Sequence, residues 1–283
     1  MRIRREPAIQ IKTAAQLAAM AEAGQVVARA LGAAAAAAAP GVSTAELDAI
    51  AASEIREAGA TPSFLGYHGF PATICACIND EIVHGIPRAA RQLRDGDVVS
   101  IDCGAVVDGW HADAAVTVPV GTVTAGLTRL IATCERALWH GLAAARPGAR
   151  LGDISHAVER CARAGGTAGR YGIVEDYIGH GIGSEMHMDP PVPNQGRPGR
   201  GPALAEGMAL AIEPLLVLGS PGTRLLGDGW TVVTDDGSPA AHFEHTVAIT
   251  PGGPWVLTAA DGGREGFARL AQQPPRELAQ SHG

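Results

Sequence analysis

D-G-D-V-V-S-I-D at residues 95–102 and E-G-M-A-L-A-I-E at 206–213 share one pattern. Each runs from an acid-glycine pair through an apolar stretch to a carboxylate placed directly after an isoleucine. P-G-V-S-T-A-E-L at 40–47 is answered by P-G-A-R-L-G-D-I at 147–154, in the same order and at nearly the same displacement. We read this as an internal duplication. The segments between the matches agree with it. Residues 13–39 are Ala-rich and uninterrupted, with Thr13 as a cap and Pro40-Gly41 as a stop, and predict a helix. Residues 44–58 predict a second helix ending at Gly59. From Thr73 to Val120 the texture becomes short β-rich runs, among them I-C-A-C-I and A-A-V-T-V-P-V, punctuated by glycine. Helices return over 126–146 and 152–164, and strands resume through Ile249. The expected fold is α/β (α+β): two pseudo-symmetric helix-helix-strand halves around a central antiparallel sheet.

The duplication places Asp102 and Glu213 at equivalent positions, facing each other across a pseudo-two-fold axis. Alternation along a strand puts the isoleucine on one face and the carboxylate on the other. A carboxylate buried in a sheet is costly unless it is paired or metal-bound. Other acids and histidines lie in similar settings. Asp113 closes D-G-W-H-A-D, a hairpin's distance from Asp102. Glu213 precedes Pro214, which ends ladder pairing. Glu244 stands in H-F-E-H-T-V-A-I. Taken singly, each has a plain structural alternative: Asp113 as a turn acid, Glu244 beside His242 and His245 as an exposed strand edge. The fifth candidate is His180, in G-H-G-I-G-S-E-M-H-M-D-P at 179–190. Three glycines make a helix unfavourable there. We expect a strand end running into a turn that bends His180 and His187 toward one site. Four carboxylates and an imidazole exceed what one tetrahedral ion takes. They suit two divalent ions roughly 3.5–4 Å apart.

At these residues the sequence resembles the type I methionine aminopeptidases of bacteria, which have the pita-bread fold. The resemblance runs from about Ile11 to Val256. It rests on I-N-D-E-I-V-H-G-I-P (78–87), I-D-C-G-A-V-V-D-G-W-H-A-D (101–113), G-H-G-I-G-S-E-M-H-M-D-P, A-I-E-P and F-E-H-T. It implies removal of the initiator methionine from nascent chains and peptides, with preference for a small second residue. It implies five metal ligands, Asp102, Asp113, His180, Glu213 and Glu244. Asp113 and Glu244 would bridge two divalent ions (Co, Mn, Fe or Zn), Asp102 would hold one, and His180 and Glu213 the other. His84 and His187 would flank the scissile bond, and Glu213 would also shuttle a proton. The family's methionine pocket falls on Phe64, Tyr67, Phe70, Cys75, Met186 and Trp230. Relatives often carry an aromatic residue at the Met186 position and a small one at Phe64, which bears on the pocket's shape. Met188 stands where an acid usually follows the histidine.

The rest of the chain bounds these expectations. The 283 residues carry a net charge of −7, which argues against a basic nucleic-acid surface. Lys12 is the one lysine, so a G-x-x-x-x-G-K phosphate loop is excluded. Five cysteines without a C-x-x-C pair read as free thiols in a reducing compartment. With no apolar run of membrane length, the expectation is a cytoplasmic monomer acting on nascent N-termini, in transient contact with the ribosome. Residues 1–10 read as an N-terminal extension and 11–257 as one catalytic domain (halves about 11–125 and 126–257). Residues 258–283, rich in Gly, Gln and Pro, read as a poorly ordered tail. The Pro/Gly-rich loop 190–202, beside His187, is expected to rim the substrate entrance. Two rivals stand against the aminopeptidase reading: a pita-bread peptidase cutting Xaa-Pro bonds, and a metal-free pita-bread protein that only binds a partner.

Overall fold

The computed structural model describes residues 9–165 and 171–272. Helices α1 (Ala14–Ala37) and α2 (Thr44–Glu57) open the first half. Both begin with reciprocal caps: Thr13 with Gln16, and Ser43 with Glu46, each side chain satisfying the other's free main-chain N–H. Strands follow as β1 (Thr61–Pro62), β2 (Ile74–Ile78), β3 (Glu81–Val83), β4 (Val98–Val107) and β5 (Trp110–Pro119). The β4–β5 hairpin turns through Asp108 and Gly109, both at positive φ. That is the two-residue turn that Asp-Gly favours.

The second half repeats the plan with α3 (Ala125–Ala144) and α4 (Leu151–Gly165). Ten strands follow: β6 (Gly172–Ile173), β7 (Gly179–Gly181), β8 (Met188–Val192), β9 (Ala209–Ile212), β10 (Leu215–Val217), β11 (Thr223–Leu225), β12 (Val232–Thr234), β13 (Ala240–His242), β14 (Glu244–Thr250) and β15 (Gly253–Val256). A last helix, α5, spans Arg264–Gln272.

The large sheet runs β1-β4-β5-β14-β9-β7-β8, with β2 beside β4 and β15 beside β14. The halves meet where β5 pairs with β14. The register makes the duplication concrete. Ser100 pairs with Cys77, and Ala211 pairs with His180. Because Ser100 and Ala211 hold matching places in the two repeated stretches, β2 is the counterpart of β7. Each half then buries its own core: α1 and α2 over β4 and β5, α3 and α4 over β9 and β14.

Two expected boundaries are corrected. Ile9 packs against the core of the second half, and Gln10 donates from Nε2 to Ser184 Oγ at 2.7 Å, so the folded unit begins before residue 11. Residues 258–272 are folded and not a loose tail. Thr258 is buried, and Gly266 lies so close to the Trp139 ring that a Cβ would collide with it. Phe267 meets the same ring edge-on at 5.4 Å. The remainder of the expected extension and tail, 1–8 and 273–283, lies outside the described residues. Among the described residues no helix is long and apolar enough to cross a membrane.

Candidate metal centre

Strand register alone gathers the carboxylates. Ala115 pairs with Asp102 on one side and with Glu244 on the other, and Asp102 pairs in turn with Cys75. Cys75, Asp102, Ala115 and Glu244 thus form one row across four strands and share a face. Asp113 lies two residues from Ala115 and joins that face. A second row, Thr246–Ala211–His180, runs parallel to it. Thr246 is two residues from Glu244, and Glu213 is two from Ala211. All five expected ligands therefore project from one side of the sheet. The small side chain at Ala115 leaves room between Asp102 and Glu244.

The backbone is pinned at each of these points. Thr246 Oγ1 accepts the Asp113 N–H at 3.0 Å and donates to its carbonyl at 2.8 Å. Asn194 Nδ2 donates to the Glu213 carbonyl at 3.0 Å. Glycines flank His180 because space is short: a Cβ at Gly179 would meet the Ala211 carbonyl, and one at Gly181 the Asp189 carbonyl. The strand then bends as expected, and His180 and His187 stack edge-on with ring centroids 4.4 Å apart.

The side chains are buried and underpaired. Asp102 Oδ1, Asp113 Oδ1, Glu244 Oε1 and His242 Nε2 have no hydrogen-bond partner. His180 Nε2 stands 3.8 Å from Glu213 Oε1, too far for a good hydrogen bond, while its Nδ1 faces the Gly181 carbonyl at 2.9 Å. That contact places the proton on Nδ1 and leaves Nε2 with a free lone pair toward the carboxylates. Donor atoms of Asp113, His180 and Glu244 all lie within 4.8 Å of one another, as do those of Glu213, His242 and Glu244. Burial, and the neighbouring carboxylates, push Asp102 and Glu244 far above the usual carboxylate range. Burial brings Asp113 to about 7, against a lowering hydrogen bond with Asp102. Burial, then the Asp113 charge, brings Glu213 to about 8. Four carboxylates this close cannot all ionise unaided.

The same cavity, of about 390 Å³, is lined by every expected pocket residue: Phe64, Tyr67, Phe70, Cys75, Met186 and Trp230, together with His84 and His187. Phe64, Phe70, Cys75 and Met186 form a small buried apolar cluster of their own, with Tyr67 and Trp230 packed against it. Tyr67 Oη lies 2.9 Å from His187 Nδ1. Burial, then the surrounding imidazoles, lower His187 to about 4. Burial also lowers His84, whose backbone sits in the left-handed region at φ 59. The ring of His84 lies edge-on to Tyr177 at 5.7 Å.

One expectation changes, one structural alternative falls, and one residue is added. The loop at 190–202 contributes nothing to the cavity lining. It folds against the start of α4, where Gly152 and Leu151 donate to the carbonyls of Arg200 and Pro202. Asp176, Tyr177 and Ile178 take its place at the cavity. Glu244 and His242 are not on an exposed edge; each is 2% exposed. His242 is not among the expected site residues; it ends β13, in a separate sheet with β10 and β6, and still lines the cavity beside Glu244, the first residue of β14.

A model of metallopeptidase family M24 matches residues 18–251. The chain belongs to metallopeptidase family M24. Within that family it is 57% identical over 259 residues to methionine aminopeptidase 1 of Mycobacterium tuberculosis, covering 91% of this chain and 97% of that one. It superimposes on a methionine aminopeptidase from Thermotoga maritima with a TM-score of 0.86 and 39% identity, over 88% of this chain and 99% of that one. A prolidase from Pyrococcus furiosus aligns with a TM-score of 0.67 at 22% identity over 65% of its length, which shows the shared pita-bread fold alone. The donor set fits the divalent ions of an M24 metallopeptidase. The partnerless carboxylate oxygens and the proton-free His180 nitrogen are oxygen and imidazole ligands of the type such cations take.

Proposed function

We infer that this chain is a methionine aminopeptidase, a metal-dependent hydrolase that removes the initiator methionine from nascent proteins and peptides. It prefers a small second residue. The observation that carries the reading is one cavity with two walls. One wall is carboxylate and imidazole; the other is an apolar pocket of Phe64, Phe70, Cys75 and Met186. Aromatic and sulfur-bearing side chains make favourable contacts with a thioether. An unbranched methionine side chain seated there brings the first peptide bond to the polar wall.

Asp102, Asp113, His180, Glu213 and Glu244 would hold two divalent ions, with Asp113 and Glu244 shared between them. The ions supply Lewis acidity, polarising a carbonyl and lowering the pKa of water toward neutrality. Glu213 takes a proton from water and delivers it to the leaving amine. His187 is neutral at pH 7, with its ring held by Tyr67. With the Tyr67 hydroxyl donating to Nδ1, the proton sits on Nε2, ready to donate to the oxyanion as it forms. His84, neutral for the same reason of burial, contacts the scissile amide nitrogen. We further propose that the enzyme works in the cytoplasm as a monomer and meets its substrates at the ribosome; co-sedimentation with translating ribosomes tests the contact, and sedimentation velocity of the purified protein tests the monomer.

Hydrolysis of Met-Ala-Ser, N-acetyl-Met-Ala-Ser, Leu-Ala-Ser and Ala-Pro, with and without added metal, separates the readings. Metal-dependent release of methionine from the first peptide alone is expected. Faster cleavage of Ala-Pro would favour the Xaa-Pro peptidase, and no turnover with any divalent ion would leave a binding protein.

A further inference from the structure

His242 is an imidazole at the carboxylate wall for which the reading above has no use. Its Nε2 is buried without a hydrogen-bond partner. It stands 3.8 Å from Glu213 Oε2 and 3.7 Å from Glu244 Oε2. Both distances are too long for a hydrogen bond. They are close to what two donors show when they share a cation, since ligand bonds of about 2.0–2.2 Å at a tetrahedral ion put donor atoms about 3.3–3.6 Å apart. Glu213 is thus flanked by two imidazoles, His180 at one carboxylate oxygen and His242 at the other, at the same distance.

The backbone shows that this placement is built. Thr117 Oγ1 accepts the His242 N–H and donates to the His242 carbonyl, both at 2.8 Å. This is the clasp that Thr246 makes on Asp113. Thr117 lies on β5 four residues beyond Asp113, so one strand positions a bridging carboxylate and the main chain of His242. Thr117 is in turn fixed by Ser100 Oγ at 2.8 Å. A buried imidazole nitrogen with no partner loses its hydration and receives nothing in exchange. A neutral nitrogen donor to a cation removes that cost and adds no negative charge to a wall that already holds four carboxylates.

We propose that His242 Nε2 is a sixth protein ligand, donating to the ion held between Glu213 and Glu244. The proposal rests on the two-ion reading of the site, and it assigns that ion a second imidazole besides His180. A nitrogen-richer set favours Zn²⁺, Co²⁺ or Fe²⁺ over Mn²⁺ at this position.

The test is direct metal titration of the full-length protein labelled with ¹⁵N at histidine. Zn²⁺ is added to two equivalents and the ring nitrogens are followed by long-range ¹H–¹⁵N correlation. His180→Gln and His242→Gln serve for assignment. The Nε2 signals of His180 and His242 should both move to the metal-bound range within these equivalents. Calorimetry should show that His242→Gln weakens one of the two ions at least tenfold and leaves the other within about twofold. If two ions bind and His180 shifts while His242 Nε2 does not, the sixth ligand is wrong and the two-ion reading stands. The wild-type spectra decide this even if the variant folds poorly. Failure of the wild-type protein to take up any ion would overturn both.

Discussion

At Asp113 the main chain and the side chain are under opposite demands. Thr246 holds the backbone from both sides, while burial drives the carboxyl up to about 7. A cation resolves the conflict, and so does removal of the charge. Asp113→Asn or Glu244→Gln should therefore lower methionine release by at least about 10³-fold, because each removes a charge proposed to bridge the two ions. The same variants should leave the metal-free melting temperature unchanged or raised, since each deletes a buried ionisable group from a cluster of four carboxylates. Wild-type turnover in either purified protein would mean that the bridge is assigned wrongly. His187→Ala should keep both ions, by calorimetry, and lose kcat by about 10²–10³-fold, the scale of one lost oxyanion donor. An unchanged kcat would remove His187 from the mechanism. The gathering of the five expected ligands at one cavity is legible because each is a carboxylate or imidazole beside strand-ending or glycine signals. His242 lies outside that set: it ends one strand while Glu244 begins another in a different sheet, so alternation along a strand does not predict that the two meet. A histidine next to an acid has a common structural explanation, and sequence does not reveal that its Nε2 lacks a partner.

The elements behave as their local chemistry demands until tertiary contact takes over. Thr13 and Ser43 start helices where capping predicts, and Pro40-Gly41 stops one. Helix α5 is different. It is nine residues long, too short to be stable alone, and glycines at 262 and 263 precede it. Its stability comes from Trp139, which covers Gly266 and Phe267. That is a contact between segments far apart in the chain, and composition carries no trace of it. Gly266→Ala should push α5 off α3 and cost about 1–3 kcal/mol in urea unfolding, the usual range for overpacking. Catalysis should persist in the folded fraction. An unaltered midpoint would show that the packing of α5 contributes nothing to the fold. The loop at 190–202 follows His187 closely, and that proximity alone suggests a place at the entrance. Its carbonyls instead receive the free N–H groups at the start of α4, a demand set by helix geometry that sequence proximity does not convey.

At the scale of the molecule, the two halves are the same device used twice, and the site lies where they join. The repeat could be read from residues 95–102 and 206–213. The pairing of β5 with β14 could not, because it depends on which edges of two similar units meet. That seam concentrates charge, and the charge makes stability depend on pH. Asp113 and Glu213, at about 7 and about 8, keep protons in the metal-free fold that the unfolded chain has lost. Raised carboxylate pKa values mean that the native state binds more protons, so stability falls as pH rises toward 8. The buried histidines, lowered to about 4 at His187 and about 3 at His242, act in the opposite sense, but only below their unfolded value near 6.5. Between pH 6.5 and 8 the carboxylates decide. The melting temperature of chelator-treated protein should decline across that window. Added divalent metal should raise it, more at pH 8 than at pH 6.5, with protons released on binding. A flat or rising metal-free profile would contradict this.

Anomalous diffraction from crystals grown with Co²⁺ tests the central claim most directly. Two peaks are predicted on the shared face of the sheet, roughly 3.5–4 Å apart. Both should lie within ligand distance of Asp113 and Glu244, with Asp102 beside one and His180 and Glu213 beside the other. A single peak, or peaks away from these side chains with the carboxylates left unengaged, would contradict the account.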